Sequence, residues 1–260
     1  MTAGTARRLA SLALVLAASG CTNYFEIPIE TPIQPKLDVS AFQRVLVTGF
    51  IAGGTDEVDT NLETVRLLRS QLRTKSDLKV IEADTIPLAE VGGGPRPKTP
   101  DGQTDAAPAQ DASGARRIRD EKDLEAYDHV FANVDYWKKI GEEYQGPLIV
   151  TGTILFTPHS QAGFVQREQE VYDAYGRRIT QPVRTYMERK GFILRPKFIF
   201  IDGRTGATLY SETFREQILY NPQQNTPALS SYFELMDRLI PNFLGTLSSQ
   251  KIRGSRVLLK

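Results

Sequence analysis

Cysteine occurs once and histidine twice in 260 residues. One thiol excludes an internal disulfide, and so few soft ligands leave no zinc site built from Cys and His alone, which needs three or four. Charge of neither sign is in excess: 32 Lys and Arg against 31 Asp and Glu give a formal +1. No global basic field therefore draws nucleic acid, and no acidic block solvates a tail. Long apolar runs are missing too, with nothing near the ~18 residues that span a bilayer as a helix. The catalytic signatures GxxxxGKS/T, GxGxxG after a strand, GxSxG and HExxH are absent, so no cofactor and no enzymatic activity is expected. What remains, 40% hydrophobic and 24% charged, is an ordinary globular composition for one large or two small domains.

The N-terminus carries more information. Arg7 and Arg8 precede the apolar stretch Leu9–Ala18, too short for a permanent anchor and suited to a secretory signal over residues 1–20. It ends Ala18-Ser19-Gly20-Cys21. Small residues must precede the cut because the peptidase pocket admits only small side chains, and a Cys directly after them looks like a bacterial lipobox. Cys21 is then the lipidation site and the mature N-terminus. The competing reading is an ordinary signal followed by a buried Cys; position, small residues and lone thiol together favour the lipobox. Acyl chains at about 0.8 kcal/mol per buried methylene make such anchoring stable. Removal of the signal takes away two arginines and turns the net charge from +1 to −1. Thr22 follows, not the Asp of inner-membrane retention signals, so by analogy with Gram-negative lipoproteins the outer membrane is expected.

Residues 21–42, with Pro28, Pro32 and Pro35, read as a lipidated N-terminus and extended tether. At about 3.1 Å per residue its reach is roughly 60 Å; the alternative is an edge segment on the domain or on a neighbouring subunit. A periplasmic domain is expected over 43–260. Arg44–Ile51 is a β-branched apolar run typical of a central strand. Thr60-Asn61-Leu62-Glu63 has the form of a capping box, ahead of a helix whose apolar face holds Leu62, Val65, Leu68 and Leu72. Leu78–Ala83 predicts a second strand. Residues 92–114 hold five Gly, four Pro and four Ala with no aromatic, Ile, Leu, Val or Met, and are expected to form a disordered insertion. Asp123–Tyr144 returns to helical spacing through Leu124, Tyr127, Phe131, Val134 and Trp137. Leu148–Phe156 is a buried strand. Phe192–Asp202 and Ala207–Gln217 read as a hairpin about the Asp202–Gly206 turn. A helix from about Pro227 to Leu247 is predicted to kink at Pro241, and Arg256–Leu259 to close the sheet. The fold class is α/β (α+β): a single mixed sheet packed by about three helices, with the disordered insertion and an extra β-hairpin over 157–191.

Candidate chemistry is sparse. His129 and His159 have no Cys partner and read as structural. The acids Glu168, Glu170 and Asp173, and Asp120, Glu121 and Asp123, cluster in sequence, but paired-carboxylate catalysis needs two acids across a cleft. The basic cluster Arg116, Arg117 and Arg119 could meet anionic glycan or lipid, and reads first as a solvated helix approach. The Asp202–Gly206 turn could cradle an anion through its amides. In the 157–191 hairpin, arms 164–175 and 179–187 flank Gly176. A membrane-spanning strand needs about 9–11 residues with one lipid-facing side free of charge, and the first arm carries charge on both faces. It therefore reads as water-exposed, with Tyr172, Tyr175 and Tyr186 as candidate partner contacts; packing of these rings on their own domain is the other reading.

The stretches RVLVTGF, LKVIEAD, IVTGTIL and IFIDGRTGATLYSETF resemble the envelope lipoproteins related to the curli-secretion lipoprotein (CsgG-like) and the N-terminal domain of TolB. The resemblance covers roughly 43–90 and 146–260. It implies an α/β domain with a non-enzymatic role as accessory or assembly factor of a larger envelope or secretion complex, and it brings no catalytic residues. The insertion and the charged hairpin depart from that group. Expected partners are the membrane, through the lipid, envelope proteins and further copies of the chain, with no nucleic acid. The alternatives from other classes are a cell-wall or glycan hydrolase using paired carboxylates and an oligomeric export channel subunit.

Overall fold

A computed structural model of the chain describes residues 24–88, 118–172, 174–221, 223–224 and 226–259. The signal at 1–20, Cys21 and the insertion at 92–114 lie outside them. The described residues fall into two compact units, 36–248 and a smaller one formed by 24–35 with 249–259.

In the larger unit a six-stranded mixed sheet is built from β2 (Arg44–Gly54), β3 (Lys79–Val80), β4 (Leu148–Tyr172), β5 (Arg178–Asp202), β6 (Thr208–Thr213) and β7 (Glu216–Tyr220). The order is β3-β2-β4-β5-β6, with β7 beside β5 as well; β2 runs parallel to β3 and β4, and the remaining pairs are antiparallel. Side chains of period two separate the core in halves. Val45, Val47, Val150, Phe198 and Phe200 meet α1 (Thr60–Lys75) and the long C-terminal helix Ala228–Leu247. Leu46, Ile149, Ile199 and Ile201 meet the helices of 121–143. Both faces are covered because β2 sends one crossover, α1, to one side, while the return to β4 passes over the other. Each fully buried Leu, Ile, Val or Phe on these faces stabilises by about 1.5–3 kcal/mol. Phe156 sits between Phe192 and Tyr232, at ring-centre distances of 4.8 and 5.4 Å.

Several expectations need correction. The cap of α1 is Asp59, not Thr60: its carboxylate accepts the Leu62 N–H at 3.0 Å, and Thr60 is buried as the first helical residue. The strand predicted over 78–83 shrinks to Lys79–Val80, although Ile81 N–H still donates to Val45 and Ile86 N–H to Thr48. The regular pairing with β2 stops just before the bulge that β2 makes between Val47 and Phe50. The single helix expected over 123–144 is three pieces, α2 (Glu121–Glu125), α3 (Asp128–Phe131) and α4 (Val134–Glu143). Asn133 starts the last by accepting the Tyr136 N–H at 3.2 Å. The break turns Val134 outward, 48% exposed, and lets the buried Trp137 donate its Nε1–H to the Val130 carbonyl. The C-terminal helix, α5 (Ala228–Leu247), is found where it was expected, with Pro241 inside it.

The 157–191 segment is not a separate hairpin inside a long connection. It is the continuation of β4 and β5 themselves, each 25 residues long and paired without a bulge from Leu148↔Asp202 to Tyr172↔Arg178.

In the smaller unit, β1 (Tyr24–Ile33) pairs antiparallel with β8 (Gln250–Leu259) over their whole length. This corrects two expectations: a stretch of the 21–42 tether is a paired strand, and the C-terminal strand joins β1, not the main sheet, which moves the boundaries of the larger unit to 36 and 248. Pro28 and Pro32 share one parity, so both missing N–H groups fall on the same edge of β1.

Candidate functional site

Beyond Ser160 and Lys190, where the pairing of β5 with β7 ends, the two long strands leave the sheet and form an arm, on the order of 40 Å long at about 3.4 Å per residue. Its register sorts side chains into two faces. One carries the pairs Phe164/Tyr186, Gln166/Arg184, Glu168/Pro182, Glu170/Thr180 and Tyr172/Arg178. The other carries Gly163/Met187, Val165/Thr185, Arg167/Val183, Gln169/Gln181 and Val171/Ile179. Nearly every arm side chain is exposed; Val165, Val183 and Met187, all on the second face, are half-buried. Gly176, with φ 74°, turns the tip, where an L side chain would be strained.

The three predicted contact residues are all on the arm and all exposed: Tyr172 63%, Tyr175 84% and Tyr186 59%. They do not form one patch. Tyr172 and Tyr186 share a face about eight residues apart along it, and Tyr175 sits in the tip turn. The Arg178 Nε–H donates to the Tyr172 hydroxyl at 3.2 Å, and Arg177 lies over the Tyr175 ring at 5.4 Å. Sequence reasoning missed Phe164, 74% exposed and edge-on to Tyr186 at 5.4 Å. Reading the two arms as one register would have paired them.

At the arm's root a groove of about 1190 Å³ is lined by His159, Tyr186, Met187, Phe192, Tyr220 and Ala228 among others. Under the α2–α3 corner lies a smaller cleft of about 290 Å³ with Glu121, Glu125, Asp128, Arg195 and Lys197. Its acids face cations: Glu121 accepts from Arg195 at 3.3 Å and Asp128 from Lys197 at 3.0 Å. The clustered acids of the sequence do not converge. The Asp123 carboxylate takes the N–H groups of Arg119 and Asp120 at the start of α2, and Glu168 and Glu170 stand on the open arm. Asp173, Arg116 and Arg117 lie outside the described residues. His129 Nδ1 lies 2.8 Å from the Ala126 carbonyl, and His159 is at the arm's root. Among the described residues no group of three or more His, Cys, Asp or Glu is placed to hold a metal ion, and no helix is long and apolar enough to cross a membrane.

The Asp202–Gly206 turn is occupied by its own side chains. The Asp202 carboxylate takes the Arg204 backbone N–H at 2.9 Å and its guanidinium at 3.1 and 3.2 Å. Burial raises the pKa of Asp202, but the hydrogen bonds and charge of Arg204 outweigh it and hold the carboxyl below the ordinary value. The amide that might have cradled an external anion is thus already used.

No known protein family matches the chain, and no curated protein does. Distant likenesses exist among solved structures. A PelC dodecamer from Paraburkholderia phytofirmans is 14% identical, with 87% of this chain and 100% of that one covered and a TM-score of 0.36. The lipoprotein GNA1162 from Neisseria meningitidis is 10% identical over 77% and 96%, TM-score 0.31. A hemagglutinin homolog from Helicobacter pylori is 11% identical over 85% and 92%, TM-score 0.35. Likenesses this distant assign no activity to the chain.

Proposed function

We propose that the chain is an outer-membrane lipoprotein, anchored through Cys21, whose periplasmic body is a non-enzymatic assembly or accessory factor that grips protein partners with the β4–β5 arm. The arm carries this reading. Two strands run some 40 Å past their sheet at about 3.4 Å per residue, exposed on both faces and studded with Phe164, Tyr172, Tyr175 and Tyr186. The fold has no internal use for them, and exposed aromatics of this kind serve as interface anchors. The hydrolase alternative has less support: the acids of the α2–α3 cleft sit on Arg195 and Lys197.

Replacing 160–189 by a two-residue turn is expected to leave the body's unfolding midpoint within a few degrees while abolishing crosslinks to envelope proteins. Retained crosslinks would remove the arm from the function. Turnover of wall fragments, lost in Glu121→Gln, would replace the reading by the hydrolase. A mature protein without acyl mass on Cys21 would end the lipoprotein assignment.

One observation favours an oligomeric export channel as the second reading. The arm face from Gly163/Met187 to Val171/Ile179 carries a single charge, Arg167, although the first strand alone suggests charge on both sides. A detergent-dependent ring seen by light scattering would promote it; a monomer at all concentrations would remove it.

A further inference from the structure

The β1–β8 ribbon has two unlike faces. Its register sets Phe25, Ile27, Ile29 and Ile33 on the same side as Ile252, with Arg256 the one charge among them. These five apolar side chains are 62, 45, 40, 44 and 58% exposed. The other side carries Glu26, Glu30, Lys251 and Arg253, with Glu30 accepting from Lys251 at 3.4 Å and from Arg253 at 3.0 Å. A two-stranded ribbon alone is marginal in water, and a continuous apolar face of this kind marks a contact surface.

The edges of the ribbon are guarded while its face is open. Pro28 and Pro32 each remove a donor from β1, and the charged Lys251 and Arg253 stand on β8. An added strand is therefore poorly received. The open face is about 27 Å long at about 3.4 Å per residue, a shape that suits a flat apolar phase. Chain length brings that phase close. Three residues lie between Cys21 and Phe25, four steps of at most about 14 Å of extended chain, whereas the headgroup layer alone is about 5–8 Å thick. Lys251, Arg253 and Arg256 outnumber Glu26 and Glu30 in the ribbon, the sign that anionic headgroups attract. Arg256 can lift its charge to water along its own aliphatic stem.

We infer that the β1–β8 ribbon is a membrane-seating element, its Phe25–Ile27–Ile29–Ile33–Ile252 face lying in the headgroup layer of the bilayer that holds the lipid of Cys21. This rests on the lipoprotein reading above. The anchor then has two components: acyl chains for retention, and the ribbon for orientation at the surface.

The test uses the whole mature chain carrying Cys21→Ser, so that no acyl group contributes, with Phe25→Trp as reporter, its emission taken as the difference from the same chain with Phe25 intact because the buried Trp137 also emits, and vesicles of phosphatidylethanolamine and phosphatidylglycerol containing brominated lipid. Vesicles should shift the reporter emission to the blue and quench it. Ile27→Glu with Ile29→Glu should weaken partition at least tenfold and leave unfolding of the larger unit unchanged. Absence of partition overturns the inference. So does a reporter already blue-shifted in the vesicle-free monomer, which means the chain's own body covers the face. A blue shift that tracks protein concentration without vesicles hands the face to a second copy and also overturns it. Acyl mass on the wild-type chain tests the anchor reading separately, so the two failures are distinguishable.

Discussion

The same two strands behave in opposite ways along their length. From Leu148 to Phe156 every residue of β4 is buried; from Ser160 to Tyr172 every residue but Val165 is exposed. Backbone pairing is continuous across the change, so hydrogen bonding does not distinguish body from arm. The difference lies in what covers the faces. In the body two helix layers remove both faces from water, and the sequence LIVTGTILF is apolar almost throughout. In the arm nothing covers either face, and the sequence turns to Gln, Arg and Glu. A strand's stability and its availability to a partner are thus set by its flanking layers, not by its ladder.

Substitutions along the strands can break or sharpen this contrast. The largest effect is expected in the body. Phe198, 1% exposed and 4.9 Å from the Phe243 ring, should cost about 3–5 kcal/mol as Phe198→Ala in urea unfolding. Phe164→Ala in the arm should cost no more than about 1 kcal/mol, the worth of a cross-strand pair. Equal losses would mean that the arm is as tightly integrated as the body. Next come two glycines of β4. Gly152 has φ 147°, and a β-carbon there would meet the Lys197 carbonyl at 1.8 Å. Gly152→Ala should lose about 1–3 kcal/mol or more. Gly163→Ala meets nothing within 4 Å and should stay within about 0.5 kcal/mol.

Two smaller effects concern pH. Burial pushes the phenol of Tyr232 above its ordinary value of 10.0, partly opposed by the hydroxyl of Thr64. Because the folded value is raised, its contribution is complete below pH 10.0 and declines as the phenol ionises above it. Tyr232→Phe should flatten that alkaline decline in denaturant midpoints. Asp202 has the opposite sign. Its folded value is depressed, so its contribution is present above the ordinary 3.8 and lost as acid protonates it. Asp202→Asn should remove that acid-side loss, the smallest of these changes.

The body was legible in the sequence where local pattern and burial agree. Val45–Ile51 and Leu148–Phe156 are apolar runs that burial on both faces explains, and the α1 stripe of Val65, Leu68 and Leu72 keeps the helical period of one buried face. Pairings between distant segments were not legible. Nothing local links residues 24–33 to 250–259, and a strand polar on both faces has no periodicity to reveal it, so the arm reads as a long loop containing a hairpin. The helix break at Asn133 is hidden because a run of apolar residues at helical spacing does not say whether the backbone stays in one piece. For the arm site, exposure of Tyr172, Tyr175 and Tyr186 follows from residue type and their charged neighbours. Their separation, and the pairing of Phe164 with Tyr186, needs the register.

The unbroken register of β4 and β5 makes the arm a ruler. Sliding one strand past the other by a single residue would advance the tip by about 3.4 Å and turn every side chain of the slipped strand to the opposite face. In the body that would put Phe198 and Phe200 on the side of the 121–143 helices and Ile199 and Ile201 against α1 and α5. The core therefore locks the reach of the arm: whatever docks at Tyr175 does so at a distance measured out by aromatic packing at the other end of the same two strands.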